Sequence, residues 1–367
     1  MLSRKDVISY CDLLPSILGR AFQAAWRVKI ASTDITARRK ALEHWLVGID
    51  ALDPESLASA SEDASFRHYY RLNSGDTTRI VMDAPPEQED CGPFIQIAGF
   101  LEQMGLNAPR ILNTNLDLGF LLLTDLGSTL YLTELRNDRS CADGLYGDAI
   151  SALARMQSLG GEYQSELPPY DEALLSFELS LFHDWLCERH LSIEFTDADE
   201  RQWQEVSRLL IDNALQQQRV FVHRDYHSRN LMVTNDNNPG ILDFQDAVEG
   251  PLTYDLVSLL KDCYVSWPAE QVNAWAMQFY DRLDEDTKTR LDPAQFIRQF
   301  DLMGVQRHLK ASGIFARLLH RDGKTGYMPD VPRTLEYIVA LGPANKGLGF
   351  LTELISERCL PALREQQ

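Results

Sequence analysis

The chain reads HRDYHSRN over residues 223–230 and ILDF over residues 241–244. The first stretch is a polar loop between two short apolar runs typical of buried strands, and it contains Asp225 and Asn230. Asp243 follows Asn230 by thirteen residues. Phosphoryl transfer requires a group that accepts or orients a hydroxyl proton, and oxygen ligands for Mg²⁺. Asp225 can fill the first role and Asn230 with Asp243 the second, so this spacing predicts a phosphoryl-transfer site.

The net charge of the chain limits the classes of molecule that we expect it to bind. The 367 residues include 35 Lys and Arg against 54 Asp and Glu, which leaves a formal net charge of −19. A surface this acidic repels phosphate backbones and anionic lipid, so we expect no nucleic acid and no membrane as a partner. Cationic substrates suit this charge, whereas an anionic substrate needs a local basic pocket.

The cysteines and apolar runs indicate the compartment. The six cysteines are scattered, without a C-x-x-C pair or a His/Cys cluster, which is typical of free thiols in a reducing compartment. No apolar run approaches the length of about 18 residues that a transmembrane helix needs. Residues 1–33 lack the uninterrupted apolar core of a signal peptide, so we treat them as an N-terminal extension. These features predict a cytoplasmic protein.

Two regions with different secondary-structure patterns follow the extension. Residues 34–126 contain a helical pattern over 36–48 and then several alternating or aromatic runs typical of strands. Residues 127–367 are mainly helical, except for short apolar runs within 220–244. We therefore predict a small β-rich N-lobe joined near residue 126 to a larger helical C-lobe.

The motif H-x-D-x-H-x-x-N at 223–230 resembles the catalytic loop of the aminoglycoside phosphotransferase family, kinase-like enzymes that act on small molecules. GP at 250–251 and YDL at 254–256 are similar to the family's helix entry, whose Asp braces the catalytic loop. Three further stretches are similar to one branch of the family, the bacterial anomeric kinases for N-acetylmuramate and N-acetylglucosamine: DASFRHYYR at 63–71, MDAPP at 82–86 and GIFAR at 313–317.

The resemblance implies an α+β, bilobal, protein-kinase-like fold. Its small antiparallel β N-lobe binds ATP, and its larger helical C-lobe carries the catalytic loop and the sugar site. The enzyme would use ATP and Mg²⁺ to phosphorylate the anomeric C1 hydroxyl of N-acetylmuramate, N-acetylglucosamine or both. The product would be the α-1-phosphate, made in the recycling of peptidoglycan.

The resemblance also assigns roles within the motif. Asp225 is the catalytic group that orients, and to some extent deprotonates, the sugar hydroxyl. Asn230 and Asp243 hold the metal and with it the nucleotide phosphates. His223 and His227 support this centre, the first by holding the loop and the second by orienting Asp225. A metal site formed by the two histidines is disfavoured, because the loop offers no third His or Cys.

The nucleotide side departs from the usual kinase pattern, because the N-lobe has neither a glycine-rich loop nor a strand lysine. In place of the loop stands SEDAS at 61–65, a small polar stretch ending in Ser65, whose backbone N–H groups can face phosphate. Where the family commonly has Lys, the chain reads VMD at 81–83. Alternation places Arg67 and Arg71 on one face of the preceding strand, and we hypothesise that one of them clamps phosphate. The alternative is an ordinary strand whose arginines face solvent.

The expected hinge between the lobes is LLLTDLG at 121–127. Its backbone groups at Thr124, Asp125 and Leu126 are predicted to bind adenine. Taken alone, the motif is a buried strand followed by a turn, and only its order in the chain suggests the hinge.

Candidate sugar contacts come from two sources. Gln245 and Asp246 directly follow the metal-binding Asp and its Phe. Glu178, Trp185 and Tyr264 lie in helical patterns that should border the cleft, where sugars favour aromatic faces and carboxylate acceptors. Packing or surface roles are the alternative for these three residues.

One locally basic stretch lies at residues 304–324, with a single acidic residue. Arg307, Lys310 and Arg317 share a helical face there. We hypothesise that this face, with Arg307 in the substrate site, recognises the lactyl carboxylate of muramate or an ATP phosphate. The alternative is a solvated face whose charges pair with surface acids.

Two other functions remain open from the sequence. One is another kinase of the same family, of the aminoglycoside, choline or homoserine type, which the acidic composition suits. The other is a catalytically weak, pseudokinase-like binding protein, which the missing lysine favours and the complete set of Asp225, Asn230 and Asp243 opposes. The oligomeric state is not predicted.

Overall fold

The computed structural model describes residues 35–49, 51–62 and 66–366. The extension predicted at 1–33 and the predicted phosphate-facing Ser65 lie outside the described residues. The strands are β1 Asp53–Glu62, β2 His68–Ser74, β3 Thr77–Asp83, β4 Ile111–Asn115, β5 Phe120–Thr124, β6 Arg219–Val222, β7 Leu231–Met232, β8 Gly240–Ile241 and β9 Val248–Pro251. The α-helices are α1 Ile35–Val47, α2 Gly92–Gln103, α3 Tyr131–Asn137, α4 Ala142–Leu159, α5 Glu172–Leu181, α6 Asp197–Leu215, α7 Tyr254–Leu260, α8 Ala269–Asp281, α9 Glu285–Arg290, α10 Pro293–Asp322, α11 Val331–Leu341, α12 Gly349–Glu353 and α13 Leu360–Glu365, with π-helical segments at Phe182–His190 and Leu354–Cys359.

Five antiparallel strands form one sheet in the N-terminal part, in the order β1-β2-β3-β5-β4. At its centre Tyr69 pairs with Met82, and Met82 pairs with Leu121. Because side chains alternate along each strand, these three share one face, while Val81 and Leu122 point to the other.

Different parts of the molecule cover the two faces of this sheet. Leu42 and Leu46 of α1 pack on the face that carries Val81, in a small separate core. The opposite face, with Met82, joins the large core shared with the C-terminal helices. Side chains on the Met82 face are therefore directed towards the rest of the molecule.

The C-terminal part is built around α10, a helix of 30 residues. It packs against α5, α6, α7 and α11, so residues from several turns of this one helix reach the centre of the lobe. Asp292 caps its start by accepting from the N–H of Gln295, and Gly323 ends it with a φ of 68°. Pairs β6–β9 and β7–β8 hold both ends of the loop at residues 223–230.

The predicted fold class is confirmed: an antiparallel β N-terminal part precedes a mainly helical remainder. The sequence patterns miss strand β9, because its last two residues, Gly250 and Pro251, are typical of turns. Within the described ranges, no helix combines the length and apolarity needed to cross a membrane. The cysteines of these ranges are free thiols.

Candidate active site

The start of the predicted catalytic loop, residues 223–230, is held by Asp255 of α7. The backbone N–H groups of His223 and Arg224 donate to the two side-chain oxygens of Asp255, at 2.6 Å and 2.9 Å. Arg224 has a φ of 77°, in the left-handed region that residues with a Cβ rarely adopt. The two hydrogen bonds hold this strained backbone and so determine the direction in which Asp225 leaves the loop.

Asp225, Asn230 and Asp243 lie together. Nδ2 of Asn230 donates to the backbone oxygen of Asp225 at 3.0 Å and to Oδ2 of Asp243 at 3.2 Å. Nε2 of Gln245 donates to Oδ1 of Asp243 at 2.7 Å. Because Asn230 uses its amide nitrogen for both bonds, its amide oxygen can serve as a metal ligand beside the Asp243 carboxylate. Such an oxygen set fits Mg²⁺.

The surroundings of Asp225 keep its carboxyl ionised. Burial alone would raise its pKa, but nearby positive charges, led by Lys310 and including Arg307 and Arg224, outweigh burial and lower the pKa to about 2. An ionised carboxylate at this position can accept a hydrogen bond from a substrate hydroxyl and orient its oxygen for attack.

Both loop histidines are neutral supports of this centre. His223 is fully buried, its Nδ1 accepts the N–H of Asp225 at 3.3 Å, and burial lowers its pKa to about 4. The N–H of His227 donates to the backbone oxygen of Asp225 at 3.1 Å. The ring of His227 lies edge-on to Tyr264 at 5.5 Å, and burial lowers its pKa as well.

Glu178 lies beneath the loop and is 2% exposed. Its Oε1 pairs with Nη2 of Arg224 at 2.8 Å and Nζ of Lys310 at 2.9 Å. Its Oε2 accepts from the hydroxyl of Tyr170 and from Nε2 of Gln306. Burial alone would raise the pKa of Glu178, but Lys310 and Arg224 lower it to about 2. With both oxygens used, Glu178 supports the loop from the interior and offers nothing to a sugar in the cleft.

Arg307 is likewise committed to the loop. Its two Nη atoms donate to the backbone oxygen of Arg224 at 2.8 Å and to Oγ of Ser258 at 2.7 Å. Its guanidinium lies over the ring of Tyr254, 4.4 Å from the centroid. The basic face predicted on α10 therefore points, through Arg307 and Lys310, at the underside of the catalytic loop.

The remaining predicted sugar contacts are placed differently from one another. Tyr264 lies beside the loop, against His227. Asp246 is exposed and close enough to Arg67, the residue before β2, to help raise the pKa of its guanidinium. Trp185 lies in the first π-helical segment, with the guanidinium of Arg189 at 4.6 Å from its ring.

At the predicted hinge, Asp125 is paired with Arg71. Nε of Arg71 lies 2.5 Å from Oδ2 of Asp125, and its Nη2 donates to the backbone oxygen of Gly127 at 2.6 Å. Thr124 exchanges hydrogen bonds with the backbone of Arg110, at 2.9 Å and 3.0 Å. Arg71 therefore ties the sheet to the segment that leads out of it.

Leu126 packs against Gly240 of β8, in the C-terminal part. A Cβ added to Gly240 would lie 3.0 Å from Cδ1 of Leu126. The glycine therefore lets the hinge pack directly on the β7–β8 pair, next to Asp243.

Arg67 pairs with a residue that the sequence reasoning left unassigned. Its Nη2 lies 3.0 Å from Oε2 of Glu89, just before α2. Burial alone would lower the pKa of Arg67, but Tyr69, Glu89 and Asp246 raise it. The pair joins residues that precede two separate elements of the N-terminal part, so no local pattern indicates it.

The VMD stretch, where the family commonly has a strand lysine, contributes a carboxylate to a buried ion pair. Asp83, in the VMD stretch, faces α1 and is 2% exposed. Nε of Arg38 donates to its Oδ1 at 2.9 Å. The pair joins residues 45 positions apart, so no local pattern indicates it.

Comparisons with known proteins agree with this geometry. The family model described as "Phosphotransferase enzyme family" matches residues 56–296. The chain is 47% identical over 311 residues to the N-acetylmuramate/N-acetylglucosamine kinase of Pseudomonas aeruginosa, covering 84% of this chain and 90% of the relative. It is 38% identical over 326 residues to the protein of the same name in Neisseria meningitidis serogroup B, covering 87% and 96%.

Solved structures share the fold at low identity. Choline kinase LicA from Streptococcus pneumoniae superposes with a TM-score of 0.56 at 12% identity, covering 82% of this chain and 98% of that one. The ADP-bound aminoglycoside phosphotransferase APH(2'')-Ib gives 0.53 at 17% identity, covering 81% and 97%. With the family match and the relatives, the predicted resemblance is confirmed: the chain belongs to the phosphotransferase enzyme family and is an ATP-dependent kinase.

Proposed function

We propose that this kinase uses ATP and Mg²⁺ to phosphorylate the anomeric C1 hydroxyl of N-acetylmuramate and N-acetylglucosamine. The product is the α-1-phosphate, formed in the cytoplasm during peptidoglycan recycling. The observation that carries the proposal is the cluster of Asp225, Asn230 and Asp243 in a chain 47% identical to a kinase named for these two sugars.

The chain's own residues account for the transfer step. Asp225, ionised at neutral pH, accepts the hydrogen bond of the C1 hydroxyl and directs its oxygen at the γ-phosphorus. A bond forms between that oxygen and phosphorus, the bond from phosphorus to the bridging oxygen of ADP breaks, and the hydroxyl proton passes to Asp225. Asn230 and Asp243 would hold Mg²⁺, which supplies charge neutralisation for the phosphates when bound.

For the nucleotide, we propose that the backbone at Thr124, Asp125 and Leu126 binds adenine. Both candidate clamps pair with a carboxylate, Arg67 with Glu89 and Arg71 with Asp125, but Arg71 also donates to the backbone oxygen of Gly127, and we therefore favour Arg67 for the phosphates. Asp246, three residues beyond Asp243, is near enough to Arg67 to help raise the pKa of its guanidinium, which supports a position of Arg67 towards the metal side of the cleft.

The experiment is a phosphate-transfer screen with the purified full chain, ATP and Mg²⁺. The panel contains N-acetylmuramate, N-acetylglucosamine, other hexoses, an aminoglycoside, homoserine and choline, and NMR coupling between phosphorus and the anomeric proton identifies the product. We expect transfer to the two amino sugars alone. Transfer to choline, homoserine or an aminoglycoside instead would replace the proposal by that family activity, and no transfer to any acceptor would support the pseudokinase alternative.

Asp225→Asn tests the assigned catalytic group. We expect kcat to fall by about 10²- to 10⁴-fold, the range for loss of a positioned base, with an unchanged circular dichroism spectrum. Asp236→Asn, at an exposed position between β7 and β8, is the matched control and should retain wild-type kcat. Near-normal turnover by Asp225→Asn would overturn the mechanism.

A further inference from the structure

Arg229 is an exposed arginine within the catalytic loop, and two tyrosine rings hold its guanidinium. The carbon Cζ lies 4.7 Å from the ring centroid of Tyr264 and 5.5 Å from that of Tyr327. Among the described residues, no carboxylate oxygen lies within 4.0 Å of this guanidinium, whereas Arg67 and Arg71 each pair with one. The positive charge of Arg229 is therefore not neutralised by a direct ion pair within the described part of the chain.

The support of Arg229 is fixed on both sides by one buried carboxylate. Oδ2 of Asp262 accepts the N–H of Ser228, the residue before Arg229, at 3.1 Å. Oδ1 of Asp262 accepts the N–H of Tyr264 at 2.9 Å. The loop backbone next to Arg229 and the ring beneath its guanidinium are therefore anchored to the same side chain, which preorganises the arginine.

The second ring is held from behind. Phe315 of α10 stacks on Tyr327 at 5.5 Å and contacts Tyr264 at 6.4 Å, so the two tyrosines form one continuous aromatic surface. On its other side Tyr264 meets the ring of His227, whose backbone N–H is bonded to Asp225. The surface therefore begins beside the backbone of Asp225 and extends to Arg229.

We propose that Arg229, on the Tyr264–Tyr327 surface, is the subsite for the lactyl carboxylate of N-acetylmuramate. This rests on the proposed function. A guanidinium presents a planar pair of N–H donors that matches a carboxylate, and stacking on aromatic rings keeps this fork oriented. The lactyl group is carried at C3 of the sugar ring that presents C1 to Asp225, so its receptor must lie within one sugar's width of that carboxylate. The overall negative charge repels an anionic sugar, and Arg229 supplies the local attraction that N-acetylglucosamine does not need.

The test compares selectivity rather than activity alone. We expect Arg229→Gln to lower the ratio of kcat/KM for N-acetylmuramate to kcat/KM for N-acetylglucosamine by about 10- to 100-fold, the range for one hydrogen-bonded charge. Arg229→Lys keeps the positive charge but loses the planar pair of N–H donors. Its ratio of kcat/KM for the two sugars should lie between the ratios of Arg229→Gln and wild type. For wild type, the carboxamide of N-acetylmuramate should behave like N-acetylglucosamine, and Arg229→Gln should no longer distinguish the acid from the amide.

The matched control is Arg139→Gln, which removes an arginine stacked on Trp267 at 4.0 Å and should leave the ratio unchanged. An equal loss for both sugars in Arg229→Gln would assign the residue to ATP or to loop integrity and overturn the subsite. An unchanged ratio in a folded variant, judged by its circular dichroism spectrum and melting temperature, would do the same. Failure of the wild-type enzyme to phosphorylate either sugar would instead overturn the proposed function.

Discussion

At the scale of single residues, Glu178 is the buried carboxylate that pairs with two cations, Arg224 and Lys310, beneath the loop at 223–230. Arg224 and Lys310 both lie within 3 Å of its Oε1. A buried pair of this kind contributes little relative to apolar residues of the same shape, but removing one partner leaves an uncompensated charge. The arrangement therefore makes the loop sensitive to any change at Glu178.

We predict that Glu178→Gln lowers the free energy of unfolding by about 3–5 kcal/mol, the usual cost of breaking a buried pair. Urea unfolding at pH 7 measures the change. Lys310→Met in the same chain should make the combined loss smaller than the sum of the two single losses, because the variants share one interaction. Glu172→Gln, which breaks an exposed pair between α5 and Arg208, is the control and should cost below about 1 kcal/mol. Equal costs at the two positions would contradict the buried network.

The pH dependence of the reaction should report the charges around Asp225. Lys310 favours the ionised carboxylate, so its removal by Lys310→Met raises the pKa of Asp225. With a higher pKa the carboxylate of Asp225 becomes protonated at a higher pH. The acid limb of kcat/KM therefore moves to higher pH. Because the pKa of Asp225 is about 2, wild-type kcat/KM should show no acid limb from this group between pH 4 and pH 8, whereas Lys310→Met should bring the limb into the lower part of this range. Lys288→Met, whose pair with Glu285 lies on the surface, is the control. Identical acid limbs in all three proteins would contradict it.

At the scale of elements, the close approach of α10 to the junction of α5 with the first π-helical segment depends on Gly313. A Cβ added there would lie 2.3 Å from the carbonyl carbon of Leu181 and 2.5 Å from the nitrogen of Phe182. Both are backbone atoms, which cannot swing away as a side chain can. This gives the GIFAR stretch at 313–317 a packing role in addition to its resemblance.

We predict that Gly313→Ala destabilises the protein by about 1–3 kcal/mol, because the helix must shift to accommodate the methyl group. Gly144→Ala, in α4, meets no atom within 4 Å and should instead stabilise by about 0.5–1 kcal/mol through helix propensity. Melting temperatures and urea midpoints of the two variants should therefore move in opposite directions. A loss of stability in both would indicate that space at Gly313 is not the cause.

The sequence predicts those elements and contacts that depend on local pattern. The strand at 120–124 coincides with a continuous apolar run, and the cluster of Asp225, Asn230 and Asp243 follows from motif spacing. Contacts between distant elements are not predictable in this way. Glu178 shows the difference: helical spacing places it near the cleft, but only the packing of α5 on α10 directs its carboxylate inward to Lys310.

At the scale of the whole molecule, Arg71 of β2 and Arg67, just before β2, make different connections. Arg71 joins the sheet to the hinge through Asp125 and Gly127. These two partners lie far from β2 in the sequence, so the local pattern around β2 does not predict them. Arg67 pairs with Glu89, and Asp246 of the C-terminal part helps to raise the pKa of its guanidinium. From the sequence, both arginines lie on the same face of one strand, so either could clamp phosphate. Their different partners in the structure distinguish the two roles.

We therefore predict that Arg67→Gln raises the KM for ATP by about 10-fold or more, the effect of losing one charged hydrogen-bond donor, while the KM for the sugar changes little. Arg71→Gln, matched in chemistry, should act mainly on stability, because it opens the bonds between sheet and hinge. Steady-state kinetics with ATP and sugar varied in turn, together with melting temperatures, distinguish the two effects. If Arg71→Gln raised the KM for ATP and Arg67→Gln did not, the phosphate contact would lie at the hinge, and the pair of Arg67 with Glu89 would be a structural link between β2 and α2.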